Sequence, residues 1–152
     1  MDIALLYDPV QRRCDVAFAG KDFVLDQTPA SAMLMSLFAD RRAHPDDEVP
    51  AGANLWSAPP SFVTRRGWCG DGLDPQGRFV GSRLWLLARR KESERTRQDA
   101  EGYVAEALDW LNTERNLAVQ VTVRWQVPGP SGMLSIRVRA GETTLALQQA
   151  VG

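Results

Sequence analysis

The last third of the chain alternates apolar and other residues over two stretches separated by a turn. Between Leu117 and Val127 every second residue is apolar, and the alternation returns in Leu134, Ile136 and Val138 after residues 128–132. Successive side chains of a β-strand point to opposite faces, so this pattern predicts two antiparallel strands with one buried face. Because a strand needs a partner layer to cover that face, the pattern also predicts helices packed against the sheet.

A third strand is predicted at the edge of this sheet, over residues 143–148. In this strand Leu145 and Leu147 are expected to point inward, toward the core. Shorter alternating stretches before residue 26 predict a small antiparallel meander at the N-terminus.

Three segments between these strands have helical spacing. The first begins at Thr28, expected as the N-cap, and Pro29, and runs to about residue 40. The second covers residues 82–90, and the third starts at an expected capping box of Thr96 and Asp99. The order predicts an α+β fold: an antiparallel sheet from short N-terminal strands and a C-terminal hairpin or meander, packed with about three helices. We expect one domain over residues 1–152.

A long segment between the first two helices, residues 43–81, has little periodicity. It is rich in Pro and Gly and also carries Trp56 and Trp68, which disordered linkers rarely contain. Long irregular segments in small domains are usually functional or disordered, so this composition favours an ordered binding loop.

Arginine makes up 16 of the 18 basic residues, while the formal net charge is only −1. A GC-rich genome explains the abundance as well as a functional requirement does. The placement is uneven, because residues 65–91 carry seven basic and two acidic groups whereas residues 92–115 carry three and seven. Arg and Trp are enriched at the centres of protein interfaces. For Arg41 and Arg66, ion pairs within the chain are an equally good explanation.

Several classes of activity find no support in the residues. The near-zero charge argues against a nucleic-acid-binding module, and the lone His44 lacks metal-binding partners. We therefore expect no metal, no cofactor, no nucleic acid and no membrane partner. One catalytic alternative stays open, because acidic residues of the loop such as Asp46 and Asp47 could supply the carboxylate pair of a glycosidase.

Four ordered blocks carry a resemblance to a known family. They are SLFADRRA at 36–43, PDD at 45–47, RGWCGD at 66–71 and GSRLWLL at 81–87. Together they resemble the Mu-like phage and prophage baseplate wedge protein family, which is related to the small wedge protein of T-even phage baseplates, once mislabelled a lysozyme. Cys69 departs from the family pattern, which has a second Trp, and residues 53–64 look like an added loop.

The resemblance implies a structural subunit rather than an enzyme. Its expected partners are other baseplate wedge subunits, the central hub and spike and the tail sheath protein, in several copies of a six-fold assembly. Its expected location is the virion tail baseplate, assembled in the cytoplasm of the bacterial host. The alternative is a peptidoglycan-cleaving, lysozyme-type tail enzyme.

The resemblance also suggests which residues meet partners. In the wider family an acidic and basic loop after the first helix docks on the helical bundle of the wedge, and Asp40, Arg41 and Arg42 lie at that position here. Independently of the resemblance, an exposed strand edge can pair with a partner's strand, so we expect the 143–148 edge to join a sheath arm. The expected interface residues are Asp40, Arg41, Arg42, Arg66, Trp68, Asp71, Arg83, Trp85, Leu145 and Leu147.

Overall fold

Six short strands open the chain, because each predicted N-terminal strand is divided in two. The structure is a computed structural model that describes residues 2–50 and 64–152. The strands are β1 (Asp2–Ile3), β2 (Leu5–Asp8), β3 (Arg13–Val16), β4 (Phe18–Ala19), β5 (Asp22–Phe23) and β6 (Leu25–Asp26).

The three divisions meet at one point. The amide of Ala4 donates to the Val24 carbonyl (2.8 Å), that of Val24 to Ala17 (3.0 Å) and that of Ala17 to Ala4 (2.9 Å). Around this ring of hydrogen bonds β1 pairs with β6, β2 with β3 and β4 with β5, all antiparallel. The N-terminal stretches therefore form three two-stranded antiparallel pairs around this ring instead of one meander.

The first helix, α1 (Ala30–Phe38), is capped by an acid that precedes the expected cap. The Asp26 carboxylate accepts hydrogen bonds from the Ser31 amide (2.9 Å) and from the hydroxyls of Ser31 and Thr28 (2.7 Å each). Thr28 accepts only a longer bond from the Ala30 amide (3.2 Å), and Pro29 is the residue just before the helix. Partial burial opposes the charged form of Asp26, but these bonds outweigh it and hold the pKa of the carboxyl well below its usual range.

The predicted helix over residues 82–90 is only a 3₁₀ turn, Leu84–Leu87; another such turn covers Cys69–Leu73. Gly81 (φ 101°) and Arg89 (φ 71°) flank the Leu84–Leu87 turn with backbone conformations that a right-handed helix cannot contain. Leu84, Leu86 and Leu87 are nevertheless buried.

The long helical segment forms α2 (Glu94–Ala107) and a short continuation, α3 (Asp109–Thr113). The expected capping box at Thr96 and Asp99 is wrong, because the Ser93 hydroxyl accepts the Thr96 amide (3.1 Å) and caps the helix three residues earlier. An apolar stripe of this segment faces the core. Its buried members are Ala100, Val104, Ala107, Leu108 and Leu111.

The C-terminal sheet follows the predicted alternation and confirms the α+β fold. Its strands are β7 (Val119–Trp125), β8 (Met133–Ala140) and β9 (Thr143–Ala150), antiparallel in that order. One face packs on α1 and α2 and contributes Val123, Leu134, Ile136, Val138 and Leu147 to the core. Leu147 is 4% exposed and Leu145 is half-buried, so both point inward as expected. None of the described helices has the length and apolar character needed to cross a bilayer.

The Asp26 cap should make part of the stability depend on pH. Because the pKa of Asp26 is lowered on folding, its contribution is fully present above the unfolded value of about 3.9 and is lost as the pH falls below it. At pH 7 we expect D26N to lower the free energy of unfolding by about 1 kcal/mol. Urea unfolding from pH 7 to pH 2 should show this difference shrinking with acid.

The exposed Asp46 provides the matched control. D46N should unfold like the wild type at every pH. If the free energy of unfolding of D26N stays lower than that of the wild type by the same amount down to pH 2, the charge of Asp26 is not the source of the stabilisation.

Candidate functional site

Two of the four sequence blocks are joined backbone to backbone where α1 ends. The Ser82 amide donates to the Ala39 carbonyl (2.8 Å), and the Arg41 amide donates to the Ser82 carbonyl (2.9 Å). The Ser82 hydroxyl, fully buried, donates to the carbonyl of Leu37 (2.7 Å). A Cβ on Gly81 would lie 2.5 Å from the Ala39 carbonyl oxygen, so this close approach requires glycine. We call this junction the Ser82 clamp.

Arg83 joins the irregular segment to α2. Its guanidinium donates to both carboxylate oxygens of Asp47 (2.9 and 3.0 Å) and to Glu106 (2.9 Å), and it lies 4.7 Å from the ring centre of Tyr103. The side chains of Arg83 and Asp47 are each 15% exposed. Burial works against the charged guanidinium, but the two carboxylates outweigh it and raise the pKa of Arg83. The Asp47 carboxylate also accepts the His44 amide (2.7 Å), which fixes the loop.

Arg41 and Trp85 form a second connection beside it. Arg41 donates to the carbonyl of Phe79 (3.1 Å) and lies 3.5 Å from Glu106. The Trp85 indole donates to the carbonyl of Arg41 (2.8 Å). These two predicted interface residues therefore hold the loop and the 3₁₀ turn together.

Asp40 and Arg66 lie on the outside of the same region. Arg66 donates to Asp40 (2.7 Å) and stacks 4.6 Å from the ring centre of Trp85. Both members of this ion pair are close to half exposed. The half-buried Arg42 lies against Gly67, where a Cβ would come within 2.9 Å of the Arg42 Cβ.

Trp68 and Asp71 lie in the Cys69–Leu73 region. The Trp68 ring covers Gly70 and is 54% exposed. Asp71 accepts the Val80 amide (3.0 Å), which closes the segment between them. Trp56 and, apart from Thr64, the added loop at 53–64 lie outside the described residues.

The structure thus brings eight of the ten predicted interface residues into one region and leaves Leu145 and Leu147 apart, on β9. Arg41, Arg66 and Arg83 all make ion pairs within the chain. Sequence reasoning missed the central role of Glu106, which pairs with both Arg41 and Arg83. Glu106 lies on the polar side of α2, where a glutamate is unremarkable, so no local signal identifies it.

The outer edge of β9 is open over its first half. The Val151 amide donates toward β8, at Gly132, whereas the Gln148 amide donates to the Tyr7 hydroxyl (3.1 Å). Amides of even-numbered residues therefore point away from β8. Tyr7 covers the edge at Gln148, but among the described residues no hydrogen bond reaches the outward amides of Thr144 and Ala146.

Metal binding has no support in the part of the chain that the structure describes. There, no group of three His, Cys, Asp or Glu side chains is arranged to hold a metal ion. His44 lies 3.6 Å from Glu106 and is half exposed.

Loss of Arg83 should destabilise the protein more than loss of any exposed arginine. R83M leaves the half-buried Asp47 and Glu106 carboxylates without their shared cation, and we expect a loss of about 2–4 kcal/mol in the free energy of unfolding. R83K should recover only part of it, because an ammonium cannot reproduce the guanidinium fork. Urea unfolding measures both.

R66M is the matched control, because Arg66 also combines an ion pair with an aromatic contact but is exposed. It should lower stability by about 1 kcal/mol or less. If R83M and R66M lower the free energy of unfolding equally, the contacts of Arg83 with Asp47 and Glu106 have no special role in stability.

Comparison with known proteins assigns the chain to a family. Residues 29–144 match the family described as Phage protein GP46. Baseplate protein gp46 of Escherichia phage Mu is 39% identical over 112 residues, which cover 74% of this chain and 68% of the Mu protein. Mu-like prophage FluMu protein gp46 of Haemophilus influenzae is 30% identical over 97 residues, 64% of this chain and 57% of that protein. No solved structure matches. The Ser82 clamp and the residues that Arg83 pairs with, Asp47 and Glu106, lie within the matched residues 29–144. The chain belongs to the GP46 family of Mu-like phage proteins.

Proposed function

We propose that this protein is a structural subunit of a contractile phage tail baseplate and not an enzyme. The observation that carries the proposal is the 39% identity to a phage Mu relative named as a baseplate protein. In the virion it occupies the tail baseplate wedge, in several copies around the central hub and spike, after assembly in the host cytoplasm.

The charged cluster supports this role. Arg41, Arg83 and Asp47 form ion pairs within the chain, and these pairs fix the irregular segment on α2. Asp40, Arg66 and Trp68 are left at the surface of this rigid frame. A preorganised surface loses little conformational freedom on binding, as a subunit of a permanent assembly requires. We propose that this surface docks on other wedge subunits.

The β9 edge supports a second contact. Its outward amides at Thr144 and Ala146 can pair with a strand of another protein through main-chain hydrogen bonds. The side chains of Leu145 and Leu147 remain in the core, so the backbone rather than these leucines provides the contact. We propose that the partner strand belongs to the tail sheath protein.

The lysozyme alternative is not supported. Of the acids considered for it, Asp47 is bound by Arg83 and the His44 amide, whereas Asp46 is exposed. Because a carboxylate neutralised by a guanidinium is a poor general acid, the arrangement of Asp47 favours a structural role. The two named relatives give no support to an enzyme either, since one is named as a baseplate protein and the other as a Mu-like prophage protein.

Co-expression with the other baseplate proteins of the same phage tests the proposed function. We expect the protein to elute with at least one of them on size-exclusion chromatography, as a complex of defined stoichiometry. A protein that stays alone with every partner, or one that clears peptidoglycan in a zymogram, would contradict a structural role.

A proline on the open edge tests the strand contact without removing β9. Because the Ala146 amide makes no bond to β8, A146P should keep the fold while its ring blocks an added strand. In a phage complemented with A146P we expect baseplates that form but carry few sheathed tails, counted by electron microscopy. Deleting residues after 141 is a poorer test, since it removes the buried Leu147 and Val151.

A146S keeps the amide and is the matched control, so it should give wild-type numbers of sheathed tails. Normal sheathed tails with A146P, in a protein shown to be folded, would exclude the β9 edge as the sheath contact.

A further inference from the structure

A groove runs between residues 68–81 and the helices α2 and α3. It has two neighbouring parts of about 510 and about 260 Å³, both lined by Phe79 and Trp110. Arg78 and Glu114, which form an ion pair (2.7 Å), also line both parts. Both members of this pair are exposed, and exposed ion pairs contribute little stability, so a competing charge can replace this one.

The groove has aromatic walls. Trp68 is 54% exposed and Phe79 is 47% exposed. Trp110 is fixed by a hydrogen bond, because its indole donates to the Ser36 hydroxyl (3.1 Å). Exposed, rigid aromatic rings around a concavity offer apolar contact area at little entropic cost and are typical of interface centres.

The charges around these rings are mainly negative. Five carboxylates line the two parts, against two guanidiniums, those of Arg41 and Arg78. Among the described residues, no hydrogen bond or ion pair involves the carboxylate of Asp109, at the start of α3. The lining is therefore complementary to a positively charged ligand with apolar side chains. The surplus of carboxylates repels a polyanion and so disfavours nucleic acid as the occupant.

We propose that this groove binds a segment of another protein that carries Lys or Arg beside apolar side chains. The apolar side chains pack on Trp68 and Phe79, and the cation meets Asp109 or displaces Arg78 from Glu114. This inference rests on the proposed function in one respect: that function identifies the protein that supplies the segment as another baseplate protein.

The probes are overlapping 15-residue peptides that cover the other baseplate proteins of the same phage, titrated while tryptophan fluorescence is recorded. We expect the peptides that bind to combine basic and apolar residues and to weaken as salt is raised. Both W68A and D109K should reduce binding at least tenfold. If W68A is poorly folded, W68L and D109K carry the same test.

Two variants on distant surfaces are matched controls. F18A removes an exposed aromatic ring from β4, and E142K reverses an exposed charge in the β8–β9 turn, so both should bind like the wild type. The proposal is overturned if no peptide binds, if acidic peptides bind equally well, or if W68A and D109K bind normally. It is also overturned if the wild type dimerises in sedimentation and W68A does not, since the occupant is then a second copy.

Failure of this proposal differs from failure of the proposed function. If W68A and D109K join the co-expressed complex with wild-type affinity, the protein is a baseplate subunit but the groove is not its contact. If the wild type joins no complex, the subunit role fails whatever the peptides show.

Discussion

Arg83 joins the irregular segment to α2 through its charge, beside the backbone hydrogen bonds of the Ser82 clamp. A carboxylate that is largely out of water is costly unless a cation and hydrogen bonds compensate it. Arg83 compensates two of them at once, Asp47 from the irregular segment and Glu106 from α2. Because Glu106 also pairs with Arg41, the end of α1, the loop and the second helix share one electrostatic centre.

An arginine can pair with carboxylates inside the chain or face a partner. Most of the arginines described above make ion pairs inside the chain. Arg78 and Arg97 also make hydrogen-bonded ion pairs inside the chain, and the carboxylates beside them raise the pKa of both guanidiniums. The groups left for partners are the exposed Asp40–Arg66 pair, the rings of Trp68 and Phe79 and the main chain of the β9 edge. Internal pairing of the charges and an external role of the region are therefore compatible. The basic charge of residues 65–91 is partly cancelled inside the subunit.

The prediction of the C-terminal sheet from sequence succeeded because period-two alternation depends only on one face being buried. The helix caps failed for a different reason. Asp26 rather than Thr28 accepts the Ser31 amide, and Ser93 caps α2 three residues before Thr96, so each cap depends on how the chain approaches its helix. The helix over 82–90 failed because Arg89 takes a positive φ that its residue type does not suggest. The four sequence blocks indicated which residues belong to the site, but nothing local links Arg83 to Glu106, which is 23 positions away.

The Ser82 clamp has a consequence for how such a protein can change over evolution. It ties residues 39–41 to residue 82, so roughly 40 residues leave and return at one fixed point on the core. The entropy of closing a loop grows only with the logarithm of its length, and doubling it costs about 0.6 kcal/mol. Insertions inside this loop are therefore tolerated while α1, α2 and the sheet keep their positions. The clamp thus separates the scaffold, which must keep its geometry, from a segment whose length can change to suit a different neighbouring subunit.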